Sequence, residues 1–136
     1  MLIVDAGPLY AAAARNDRDH DRCVALLAEA EPPLVVPALV ITEVSHLLAT
    51  RLGAYAEAAF VRSVAQHELL IEPVLDDEWG RIAELTDTYA DLPLGIVDAS
   101  VIALAERYGA TTIGCLDHRH FSVVRPRHVD ALHLIP

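Results

Sequence analysis

The chain has 136 residues, 54% of them hydrophobic and 22% charged, a mixture that excludes intrinsic disorder and suits one buried core. Twenty acidic residues face ten basic ones, every one of them Arg, for a formal charge of −10. That balance excludes a protein that coats nucleic acid through bulk positive charge, but not one whose carboxylates gather divalent cations.

Cys23 and Cys115 lie far apart and form no CxxC pair, so they read as isolated thiols of an intracellular protein rather than a disulfide framework. The opening MLIVDAGPLY reaches Asp5 with no basic leader before it, and no stretch approaches the ~18 uncharged apolar residues of a membrane span. The expected location is the cytoplasm, with no membrane partner.

Leu2–Val4 is a short apolar run ending at Asp5 and the turn residues Ala6-Gly7-Pro8, which predicts a buried strand carrying a carboxylate at its C-terminal end. Pro8 suits the first turn of a helix that Leu9–Ala14 continues. Cys23, Val24, Leu26, Leu27 and Ala30 share one face of a second helix, which stops before Pro32-Pro33. Leu34–Val36 predicts the second strand. After Pro37, ALVITEVSHLLATRL is amphipathic, with Leu39, Val40, Val44, Leu47 and Leu48 on its apolar face and Glu43 early in the helix. Gly53 breaks that pattern, and Ala54–His67 reads as the return helix of an antiparallel pair.

Leu69–Val74 is the third expected strand, and Asp76–Tyr89 a helix with three acids at its start. A loop of Asp91-Leu92-Pro93-Leu94-Gly95 leads to an Ala-rich helix over Ile96–Tyr108, with Asp98 in its first turn and Gly109 as its cap. Thr111–Leu116 predicts a fourth strand ending at Asp117, and Leu132–Ile135 a final one. Strands alternating with helices, without internal repeats, predict a single α/β domain over residues 1–136, built on a short, mostly parallel sheet covered on both faces.

Asp5 and Asp117 end strands, while Glu43 and Asp98 lie near helix starts. In an open α/β sheet these places converge on one edge. Clustered carboxylates repel one another, and a hard divalent cation such as Mg²⁺ or Mn²⁺ offsets that repulsion. Each acid also has a local explanation: a turn or N-cap for Asp5 and Asp117, a helix-dipole contact for Glu43 and Asp98.

The segments LIVDAGPLYA, VVPALVITEV, LPLGIVDASVIALAERYGA and TTIGCLDHRHF together resemble the PIN domains, and especially the VapC-type toxins of bacterial toxin–antitoxin pairs. The resemblance spans nearly the whole chain. It implies a three-layer α/β/α fold and a metal-dependent endoribonuclease in which Asp5, Glu43, Asp98 and Asp117 form the catalytic, metal-binding pocket. Asp5 and Asp98 are the expected direct ligands of Mg²⁺ or Mn²⁺, with Glu43 and Asp117 acting directly or through water. It further implies products with a 5′-phosphate and a 3′-hydroxyl, an RNA substrate such as tRNA or rRNA, a homodimer, and a cognate VapB-type antitoxin. The rival class is a non-catalytic PIN-like module that binds RNA or protein.

One position departs from the family pattern: Cys115 stands where Thr, Ser or Asn is common, and a thiol is a weaker hydrogen-bond partner. Thr42, Ser100 and Asp91 are further candidates to support the pocket, the two hydroxyls having back-bonding to their own helices as the local alternative. Cys115 beside His118 and His120 raises a thiol nucleophile as a rival chemistry, and the 117–120 group raises zinc, though no second set of soft ligands accompanies it. Arg119, Arg125 and Arg127, with Arg15, Arg18 and Arg22 as a second group, are the candidate phosphate contacts.

Overall fold

Leu2, Ile3 and Val4 are buried in succession, and since neighbouring strand residues face opposite ways, both sides of the strand are covered. In the computed structural model, which describes residues 1–136, they form β1 (Leu2–Val4) at the centre of an all-parallel sheet. The other strands are β2 (Leu34–Pro37), β3 (Leu70–Glu72), β4 (Thr112–Gly114) and β5 (His133–Ile135), in the order β3-β2-β1-β4-β5. Ile3 is paired with Val35 on one side and Ile113 on the other. The chain therefore runs outward from β1 to β3, then returns to the opposite side of β1 as β4. Strand order reverses between β1 and β4, and the helices that follow them diverge there, opening a crevice at the carboxyl edge.

Seven helices flank the sheet: α1 (Ala6–Ala13), α2 (His20–Glu29), α3 (Ala38–Leu52), α4 (Ala54–Ala65), α5 (Trp79–Thr88), α6 (Ile96–Tyr108) and α7 (His118–Val123). In α6 the run Ala99–Ala105 is buried without interruption, so this helix is enclosed on all sides, and its alanines admit the close approach. Gly109 ends it in the left-handed region at φ 64°, where a residue without Cβ is favoured. The α3–α4 pair turns at Gly53, whose N–H is donated to the Leu48 and Ala49 carbonyls.

The first helix opens at Ala6 with Pro8 in its first turn as expected, where a missing N–H leaves no bond unmade. Two local expectations differ from the structure. The acidic run Asp76–Glu78 winds as a 3₁₀ turn before α5, with the Glu78 carboxylate accepting the Leu75 N–H at 3.0 Å. Helix α7 occupies a segment where no element is expected.

Beside α5 and α6 the acids are paired. Arg81 meets Glu106 at 2.7 Å and Glu84 at 2.9 Å, and Arg107 spans Glu72, Glu78 and the Pro73 carbonyl. Burial raises the Glu78 and Glu106 carboxyls, but hydrogen bonds outweigh it, from Arg107 and the Leu75 N–H on Glu78 and from Arg81 and the Arg127 N–H on Glu106. Both groups end below their ordinary value of 4.5. A depressed folded pKa contributes stability that is complete above the unfolded value and lost as pH falls through the folded one. Thermal unfolding measured from pH 6 to pH 3 should therefore show the midpoint falling below about 4.5, and Arg107→Met should make that fall shallower while lowering the midpoint at pH 6.

Candidate active site

Asp5 follows β1 directly and is bound to the far side of the crevice by its own N–H, donated to the Gly114 carbonyl of β4 at 2.8 Å. Its carboxyl lies at the junction of β1 and α1, and Oδ1 is buried without a hydrogen-bond partner. Burial pushes this carboxyl up to about 7. The Ala6 N–H offsets part of that rise, and the charges of Asp98, Glu43 and Asp117 add to it.

The other three acids reach the same cleft from separate elements, in a space of about 290 Å³ also lined by Gly7, Leu47, Leu116, His120 and Phe121. Glu43 comes from the second turn of α3, half-buried, and its carboxyl is raised by burial and then by Asp98. Asp98 precedes the enclosed run of α6, and its Oδ2 lies 2.5 Å from Nδ1 of His120. Asp117 is the N-cap of α7, accepting the Arg119 N–H at 3.1 Å. The Arg119 guanidinium folds back onto the same carboxylate at 2.5–3.1 Å and holds it well below the usual range. Close contact shapes the floor as well: a Cβ at Gly7 would meet the Leu116 Cβ at 3.1 Å, tighter than ordinary packing.

All four sequence-predicted acids thus line one cleft. No three of the chain's His, Cys, Asp and Glu side chains come close enough together in this conformation to enclose a cation. The donor chemistry nevertheless fits a hard divalent ion. Every acidic donor is an oxygen, one buried oxygen has no partner, and burial together with the neighbouring charges pushes Asp5 toward a protonated state that a cation would reverse.

For the supporting hydroxyls the structure shows the local alternative. The Thr42 hydroxyl donates to the Leu39 carbonyl at 2.7 Å and that of Ser100 to Val97 at 2.6 Å, so both back-bond to their own helices rather than bracing a carboxylate. Asp91 is exposed in its loop and does not line the cleft. Cys115 is fully buried just after β4 and makes no side-chain hydrogen bond. Burial pushes its thiol up to about 12, helped by the charges of Asp5, Asp117 and Asp98, which keeps it protonated and unsuited to nucleophilic attack.

None of the six candidate arginines lines the cleft. Arg18 and Arg22 both pair with Asp19, Arg119 with Asp117, and Arg127 with Glu84, while Arg125 donates to the Asp130 carbonyl. Arg15 is exposed on the segment after α1. His120 is the cleft residue that the four-acid pattern does not include. In the sequence it stands out only as a member of the 117–120 group, three residues after Asp117 and one before an apolar anchor, Phe121.

An all-parallel α/β domain with an acidic crevice at the reversal of its strand order belongs to the class of proteins that carry their chemistry at strand ends. The sequence pattern of the PIN domain matches residues 2–125, and the chain belongs to the PIN-domain family. Ribonuclease VapC26 of Mycobacterium tuberculosis (strain H37Rv) is 34% identical over 125 residues, covering 92% of this chain and 93% of that one. The crystal structure of Mycobacterium tuberculosis VapC20, a sarcin–ricin loop cleaving toxin, has the same fold, with a TM-score of 0.84, 22% identity, and coverage of 96% of this chain and 99% of that chain.

Because burial keeps the Cys115 sulfur protonated, Cys115→Ala and Cys115→Ser should both cleave RNA within about threefold of the parent rate, with the serine form losing roughly 1–2 kcal/mol of stability if its hydroxyl finds no partner. Cleavage rates beside urea unfolding check this. Collapse of activity in both variants with the fold intact would restore the thiol as nucleophile.

Proposed function

We propose that the chain is a metal-dependent endoribonuclease of the VapC type, hydrolysing RNA phosphodiester bonds in the crevice between β1 and β4. The observation that carries this reading is the buried, unpartnered oxygen of Asp5 beside three further carboxylates. The likeness to ribonuclease VapC26 over most of both chains supports the reaction class.

In this reading Asp5 and Asp98 hold Mg²⁺ or Mn²⁺, and Glu43 and Asp117 complete the acidic pocket. The chemistry such a cation supplies is stabilisation of charge on the phosphoryl oxygens and activation of a water as nucleophile. The protein's own part is to fix the carboxylates on rigid elements: Asp5 through its N–H to Gly114, and Asp98 at the head of a buried helix. Leu47 and Phe121 add apolar surface beside the charged groups. No covalent step through a side chain is required.

The same reading includes a structured RNA substrate (tRNA or rRNA), a VapB-type antitoxin that restrains the activity, a homodimer, and a cytoplasmic setting. No helix of the chain is long and apolar enough to cross a membrane.

Purified protein without antitoxin, incubated with tRNA and rRNA, should cleave in Mg²⁺ or Mn²⁺ and stop in EDTA. Binding across that panel without metal-dependent cleavage would favour the non-catalytic module instead. Asp5→Asn should lower cleavage at least ~100-fold and weaken Mn²⁺ binding in calorimetry. It should also stabilise the metal-free protein. The folded carboxyl titrates near 7 against an ordinary 3.8, so stability is full below 3.8 and is lost as pH rises through 7. Removing the ionisable group removes that loss, and the metal-free variant should melt roughly 3–6 °C higher than the parent at pH 8.

A further inference from the structure

The proposed chemistry leaves one cleft side chain without a role. His120 lies in the first turn of α7 with its ring largely enclosed, and its Nδ1 is 2.5 Å from Oδ2 of Asp98. A carboxylate can only accept, so the proton of this bond belongs to Nδ1. Both ends of the bond rest on fixed supports. Phe121, next to the histidine, is buried, Asp117 caps the same short helix, and the His118 ring reaches the Cys115 carbonyl at 3.2 Å. Asp98 is held by the enclosed run that follows it.

No other side chain hydrogen-bonds Asp98, since the Ser100 hydroxyl is turned onto Val97. Asp5 and Glu43 have no comparable partner, and the Arg119 grip on Asp117 is solvent-exposed. Without the histidine the Asp98 carboxylate would be free to rotate about its broad terminal torsion, under repulsion from the neighbouring acids.

We propose that His120 is the positioning residue for Asp98: its Nδ1–H bond fixes Oδ2 and leaves Oδ1 as the oxygen presented to a divalent cation. The inference rests on the metal-dependent reading above and adds to it a specific donor atom. A carboxylate that binds a cation with one oxygen gains when the other is hydrogen-bonded in place, because the ligand then arrives already oriented.

Three substitutions in the full chain separate the donor from the rest of the ring. In His120→Asn the amide nitrogen occupies the Nδ1 place, in His120→Gln it reaches toward Nε2, and His120→Ala removes both. Mn²⁺ binding is measured by calorimetry on the RNA-free protein, with Asp98→Asn as control. The Mn²⁺ concentration for half-maximal cleavage and the KM for RNA are measured beside it. Alanine and glutamine should weaken Mn²⁺ binding by ~10–100-fold and raise the half-maximal concentration in proportion, with KM unchanged and asparagine within about threefold of the parent.

If Asp98→Asn binds Mn²⁺ as the parent does, the metal reading fails and this inference with it. If Asp98→Asn loses binding while His120→Ala keeps it, the positioning role alone is overturned. Equal weakening in all three histidine variants, or a raised KM in all three, would also overturn it, pointing to ring packing or an RNA contact. Should the alanine form fail to fold, the contrast between asparagine and glutamine, both polar, decides the question.

Discussion

Holding the Asp5 carboxyl beside three other acids, with one oxygen unpartnered, opposes folding, and the surrounding architecture has to outweigh that opposition. A buried polar atom without a partner costs about 1–3 kcal/mol, a large share of the roughly 5–15 kcal/mol by which a domain is stable. The offset comes from the strand that carries it. Ile3 and Val4 are fully buried, as are Val35, Val36 and Ile113 on the neighbouring strands, and each such side chain contributes about 1.5–3 kcal/mol. This unfavourable group is thus attached to a fully buried strand, which keeps it from relaxing toward solvent.

The same residue types serve two ends in this protein, and partnership separates them. Glu72, Glu78 and Glu106 are enclosed but matched by Arg81 and Arg107, so they tie α5, α6 and the end of β3 together. Asp5 and Glu43 are enclosed without a matching cation, and their raised carboxyls mark a place where charge is missing. Asp98 and Asp117 stand between these cases, each engaged by a residue of α7. A helix of six residues therefore sets the condition of half the acidic cluster. The lack of a side chain at Gly7 leaves room for Leu116, the residue preceding Asp117, beside the start of α1.

Much of this was legible in the sequence, for identifiable reasons. The bounds of α3 and α6 follow from apolar periodicity closed off by Pro37 and Gly53, and by Gly95 and Gly109. The four acids stood out because strand ends and helix starts are places that a parallel sheet brings to one edge. Helix α7 was hidden: HRHFSV has one apolar anchor and forms because Asp117 caps it and Phe121 is buried beneath it. The pairing of His120 with Asp98 joins residues 22 apart through that unseen helix, and the arginine partnerships are likewise tertiary, Arg127 reaching Glu84 across 43 positions. The PIN-like resemblance supplied the joint meaning of the four acids, which their spacing alone left open.

The strand order also fixes when the cleft comes into being during synthesis. β1, β2 and β3 are contiguous in the chain and neighbours in the sheet, so the first half can pair as it emerges, carrying only Asp5 and Glu43. The other wall needs Ile113 beside Ile3, and Asp117 and His120 follow that strand, while Asp98 comes earlier on α6, which packs against β1 and β2. At translation rates of about 5–20 residues per second, completion of the second wall follows the first by roughly 2–10 seconds. A nascent chain is therefore without a complete acidic cluster for most of its elongation.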